Sequence, residues 1–176
     1  MKQLICMAVV CLIAPMAAMA QDAGANPLSS AVQMTLNQFA KNLVATAEEM
    51  PADKYSYAPT KEEMTFGKSV AHIAEVNNFV CSNISEMPAP PPKMSDADSK
   101  EKLVAGLKAS MDYCAQAYSK LTDAKLKDSV PFYGGRKITR LGAALEVNYD
   151  LVDHYAALAV YLRLNGLLPP TAQKKP

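Results

Sequence analysis

Asp150 and His154 stand four residues apart in the segment NYDLVDHYAALAVYLRLNGLLPP, residues 148–170. Four residues is about one helical turn, so on a helix both side chains leave from one side and can reach a common atom. His72 is the chain's other histidine. Two imidazoles and one carboxylate, with further positions open to water or substrate, suit catalytic Zn²⁺ and match the ligand set of many non-haem Fe(II) sites. The same spacing also serves an ordinary helical pair, in which Asp150 accepts a hydrogen bond from His154 and His72 is satisfied by a backbone carbonyl or water. Spacing alone leaves both readings standing.

Other chemistries find less support. A ferritin-type di-iron centre needs Glu-x-x-His repeats and extra glutamates, and neither is present. Covalent haem needs C-x-x-C-H, which is absent, and core packing accounts for the methionines without a bound haem. There is no G-x-S-x-G elbow, phosphate-binding loop or dinucleotide fingerprint. Gly134-Gly135 reads as a turn, and Arg136, Lys137 and Arg140 read as a solvated helix start. Tyr155, Tyr161 and Arg163 read as packing and helix-end residues at the border of a pocket. With 18 basic and 17 acidic residues, bulk charge gives no sign of nucleic-acid or anionic-membrane binding.

The elements that must position the histidines are helices. Apolar residues recur at helical spacing in four blocks, and no comparable stretch alternates with the period of a half-buried strand. The first block runs from about Ser29 to Met50, with Val32, Leu36, Phe39, Leu43, Ala47 and Met50 on one stripe. The second runs from about Thr65 to Met87 on Phe66, Val70, Ile73, Asn77, Val80 and Ile84, until Pro88 and Pro90–Pro92 end it. The third starts near Ser95 or Asp96 and buries Leu103, Leu107, Met111, Cys114, Tyr118 and Leu121. A loop from Thr122 to Lys137 leads to the fourth, carrying Leu141, Leu145, Asn148, Leu151, Tyr155, Leu158 and Leu162, which Gly166 and Pro169-Pro170 stop. Four such faces pack economically as an all-α four-helix bundle. The long link PADKYSYAPTKEEM suggests that one connection crosses over. His72 falls on the flank of the second helix's stripe, with Ser69, Val76 and Phe79. Asp150 and His154 share one flank of the fourth.

The first twenty residues, MKQLICMAVVCLIAPMAAMA, have one basic residue, an apolar run and the small-residue ending Ala18-Met19-Ala20. They read as a secretory signal peptide, residues 1–20, cleaved before Gln21. The expected organisation is then one domain over 21–170 and a disordered tail over 171–176. The mature chain is expected to be exported, periplasmic or secreted, with no transmembrane segment. Cys81 and Cys114 remain after the leader departs. In an oxidising compartment they can pair, and a free cysteine can equally serve as a small buried apolar residue.

Two segments, taken together, resemble a known family. PTKEEMTFGKSVAHIAEVNNF is similar to the motif of the DinB/YfiT-like metalloenzyme superfamily, with its Pro-Thr lead-in, Phe-Gly at the helix start and His-Ile-Ala. DLVDHYAALAVYLRLNGLLPP resembles the family's closing helix, with His-Tyr, Tyr-Leu-Arg and Gly before Pro-Pro. The resemblance implies a bundle with up-down-down-up connectivity whose second and fourth helices hold a divalent metal through three histidines. His72 and His154 match two of them. Asp150 stands where the third is expected, which leaves either a modified site or a degenerate one. An aspartate remains a ligand for Zn²⁺, Ni²⁺, Mn²⁺ or Fe²⁺, with preference shifted away from the softest metals. The implied function is a metal-dependent hydrolase or transferase using a metal-activated water or thiol on a small-molecule substrate. The alternative is a non-catalytic binding or structural bundle. A homodimer fits either.

Overall fold

The computed structural model describes residues 22–90 and 94–174, so the expected signal peptide lies outside the described residues. The fold is all-α, with four long helices: α1 Pro27–Glu49, α2 Phe66–Ser85, α3 Lys100–Ser119 and α4 Arg140–Leu164. Three begin at side-chain caps. The hydroxyls of Thr65, Ser99 and Thr139 accept from the backbone N–H of Lys68, Lys102 and Gly142, each satisfying one amide left over at a helix start. The N-terminus of α1 is capped from a distance. Asp123 accepts from the amides of Leu28 and Ser29 and from the Ser29 hydroxyl, at 3.1, 2.8 and 2.7 Å.

The apolar stripes meet in one core. Leu36, Leu43, Phe66, Ile73, Leu107, Cys114, Leu151 and Leu162 are within 1% of complete burial. Contacts fix which helices adjoin. Along α2 and α3 they advance together, with Gly67 near Leu103, Asn77 bonded to Ser110 and Cys81 joined to Cys114 in a disulfide. Along α2 and α4 they run in opposition, Arg140 meeting Ile84 and Tyr161 meeting Phe66. Along α1 and α4 they advance together again, with Asn148 bonded to the Val32 carbonyl at 3.0 Å and Phe39 against Tyr155. The link from α1 to α2 is tied down by Tyr55, whose hydroxyl donates to the Ala47 carbonyl at 2.6 Å and whose own carbonyl accepts from Gly67 at 2.8 Å. Glycine suits that approach, since a Cβ at 67 would stand 3.2 Å from the Tyr55 oxygen.

Four expectations need correction. α3 starts at Lys100 and not near Ser95, because the Ser99 hydroxyl supplies the cap while Asp98 closes a preceding turn onto Ser95. The loop before α4 contains a hairpin, β1 Ser129–Pro131 paired antiparallel with β2 Lys137–Thr139, Val130 opposite Ile138. Arg140 is not a solvated helix start. Its guanidinium is buried, donates to the Ile84 carbonyl and pairs with Glu86 at 2.8 Å, closing the C-terminal end of α2. The expected tail is ordered at its beginning: Pro170–Ala172 form a 3₁₀ turn, and the Thr171 hydroxyl lies 2.6 Å from that of Tyr155. Tyr155 and Tyr161 are core residues, the latter donating to the Met64 carbonyl at 3.0 Å, and Arg163 bonds its own helix at Ala159. No described helix is long and apolar enough to cross a membrane.

Candidate metal centre

α4 delivers Asp150 and His154 to one flank, as their spacing requires, and the opposed run of α2 sets His72 against them. The two imidazoles meet edge to face, with ring centroids 5.1 Å apart at 65°. One ligand atom from each of His72, Asp150 and His154 lies within 4.8 Å of the other two. Three points so spaced share a centre no farther than about 2.8 Å from any of them, so sub-ångström side-chain adjustment reaches the 2.0–2.2 Å of first-row metal bonds.

The internal distances favour ligand spacing over an ordinary hydrogen bond. His154 Nε2 stands 3.5 Å from Asp150 Oδ1. That is long for a nitrogen–oxygen hydrogen bond, which peaks near 2.9–3.0 Å. It is close to the edge of a tetrahedron, about 3.4 Å, around an ion with bonds of roughly 2.1 Å. The other carboxylate oxygen, Asp150 Oδ2, is buried and has no hydrogen-bond partner. A buried carboxylate oxygen left unpaired is costly, and a cation at the shared centre would relieve it. The side chains are enclosed without being sealed, His154 12% and Asp150 23% exposed. Two nitrogens and a carboxylate oxygen fit Zn²⁺ and its first-row neighbours and suit Ca²⁺ or Mg²⁺ poorly, since those demand a shell of oxygens.

His72 and Asp150 also line a cleft of about 920 Å³. Two of the three residues of its aromatic wall, Phe132 and Tyr133, lie outside the residues singled out by sequence. Phe79 stacks on Tyr133 with centroids 4.4 Å apart, and Phe132 sits edge-on to Tyr133 at 4.9 Å. Phe132 and Tyr133 come from the tip of the β1–β2 hairpin, where Gly134 and Gly135 adopt φ of 67° and 72° and make the tight return possible. Burial, and then the negative charge of Asp150, push the Tyr133 phenol above its ordinary pKa, placing that hydroxyl within the field of the carboxylate. One signal for this wall was available: Phe79 follows His72 and Val76 on the same helical flank.

The fold is all-α, and it brings His72, Asp150 and His154 together between two helices in an arrangement that could hold a metal ion. The sequence profile of the DinB superfamily matches residues 35–158, and the chain belongs to that superfamily. Among solved structures, a DinB-like protein from Bacillus subtilis superposes with a TM-score of 0.65 at 23% identity, over 82% of this chain and 99% of that one. A DinB-like protein from Bacillus cereus gives 0.68 at 16%, over 80% and 95%. The mycothiol-dependent maleylpyruvate isomerase gives 0.61 at 11%, over 74% of this chain and 60% of the isomerase. At these identities the likeness is one of fold. No curated protein matches the chain.

Proposed function

We propose that this is an exported metal-binding protein of the DinB type, whose four helices form an up-down-down-up bundle and whose His72, Asp150 and His154 hold one divalent ion of the Zn, Ni, Mn or Fe group at the wall of the cleft. The observation that carries the reading is the convergence of three donors from two helices, with an unpartnered Asp150 oxygen among them. The senses in which contacts run along the helix pairs support the connectivity. The leader pattern of residues 1–20 and the Cys81–Cys114 disulfide support export. The activity that fits is hydrolysis or group transfer on a small molecule.

When bound, the ion would supply Lewis acidity toward a substrate oxygen, a water or a thiol. The chain's own part is positional. His72 presents an imidazole from α2 and His154 one from α4, Asp150 contributes a carboxylate, and α4 holds the latter two in fixed relation. The aromatic wall shields one side of the cleft, and Tyr133, which lines the same cleft as Asp150, offers a hydroxyl to a bound ligand.

A second reading is favoured by one observation: Asp150 occupies a position where the family resemblance calls for histidine. Under it the trio is a relic and the bundle binds ligands without catalysis. Elemental analysis of untagged protein separates the two. Stoichiometric metal after reconstitution, lost in His154→Ala, supports the first reading; occupancy below about one-tenth sinks it, since a coordinated ion binds far more tightly than incidental surface groups retain one.

A further inference from the structure

The cleft beside the histidines has a chemistry of its own. Phe79, Tyr133 and Tyr149 are large apolar residues left 38%, 41% and 63% exposed, and all three line it. Glu75, Glu146 and Asp153 stand among them, exposed to solvent. Among the described residues, no lysine or arginine lines the cleft and none of these three carboxylates forms an ion pair. The chain as a whole is nearly balanced in charge, so this concentration of negative charge is local. A concave wall of one sign raises the local concentration of the opposite sign. Aromatic faces act in the same direction, since their electron-rich surfaces attract cations. The Phe132 ring already carries such a partner, the Arg136 guanidinium 5.4 Å from its centroid. Away from the metal position and Arg136 beside Phe132, an anionic ligand would meet the three carboxylates with no countercharge among the lining residues. The cleft volume, about 920 Å³, is that of a small-molecule site.

We propose that the cleft binds a small organic cation, an amine or quaternary ammonium with an aromatic or alkyl body. The cationic head lies among Glu75, Glu146 and Asp153, and the apolar body lies on the Phe79–Tyr133 platform. This deepens the metal-site reading by naming a ligand class for the same cleft, and rests on it only for what happens at the ligand's reactive end. Recognition of the cation uses none of His72, Asp150 and His154.

Benzyltrimethylammonium and 3-phenylpropionate, similar in size and opposite in charge, are the probes. Their binding is followed by calorimetry and by tyrosine emission, the chain having no tryptophan, in both chelator-treated and zinc-loaded protein. In chelator-treated protein the cation should bind at least about tenfold more tightly than the anion, and high salt should erode the preference; in zinc-loaded protein, where the anion's carboxylate can reach the ion, the cation should still bind. The triple substitution Glu75→Gln, Glu146→Gln and Asp153→Asn, all at solvent-exposed positions, should weaken the cation by about tenfold while circular dichroism and zinc uptake stay unchanged. The proposal is overturned if the anion binds as tightly in chelator-treated protein, if the triple variant binds the cation like the parent, or if the cation shows no binding at about 10 mM. Cation selectivity in protein that takes up no zinc would refute the metal reading alone. Zinc uptake without selectivity would refute this one alone.

Discussion

Opening the Cys81–Cys114 bridge should destabilise the protein by an amount that follows from chain length. The two cysteines are 33 residues apart in sequence. Releasing a loop of that length returns about 12.5 cal/mol/K of entropy to the unfolded chain, or about 3.7 kcal/mol at 25 °C. For a chain of this size that corresponds to a fall in Tm of about 8–15 °C. Both cysteines are fully buried, so substitution would mix in a packing term, whereas reduction keeps every sulfur in place and isolates the cross-link. The assay is urea unfolding of protein beginning at Gln21, which lacks Cys6 and Cys11, with and without reductant. Thiols are counted after denaturation in each case. No titratable thiol should be found in the oxidised protein and two in the reduced one. Two thiols in the oxidised protein, or a stability change under about 1 kcal/mol, would refute the reasoning.

In metal-free protein Asp150→Asn should be neutral or stabilising by thermal melt, because it removes the charge from a carboxylate with a buried, unpartnered oxygen, yet it should abolish the stabilisation of about 2.7 kcal/mol that zinc at a hundred times its Kd confers on the parent. Tyr118→Phe deletes a buried hydroxyl that donates to the Ala144 carbonyl at 2.6 Å and should cost about 1–1.5 kcal/mol in chemical denaturation. The hydrogen bond from Arg140, and then its charge, hold the Glu86 carboxyl below its ordinary pKa. With a depressed folded value, that contribution is present above the ordinary carboxylate pKa and is lost as pH falls through the lowered one. Glu86→Gln should therefore flatten the acid limb of the stability profile measured by denaturant titration, and an unchanged limb would assign it to other carboxylates.

The four helices were legible because each has a single apolar face long enough to show its period. Every stripe residue named for α2 and for the third block is buried. The pairing of His72 with Asp150 and His154 was legible as spacing on α4 plus family resemblance, and periodicity alone left it undecided. What escaped has a common cause, dependence on partners distant in sequence. Arg140 read as solvated because its partners, Ile84 and Glu86, lie more than 50 residues away. The hairpin strands are three residues long, too short to display an alternation. Tyr133 reaches the site only because that hairpin folds back onto Phe79. The start of α3 was misplaced because Asp96 and Asp98 have the composition of a first turn, and only the backbone geometry identifies Ser99 as the cap.

Cys81 follows His72 by nine positions, which at about 100° per residue is half a revolution round α2. The helix is thus riveted on its back and offers its imidazole from the front. A rivet between two rods forbids them to slide lengthwise while permitting a slight roll. The imidazole's depth along its helix is thereby locked, and on the proposed metal reading small adjustments to ions of differing radius would fall to the opposing helix, whose aspartate and histidine travel as a unit.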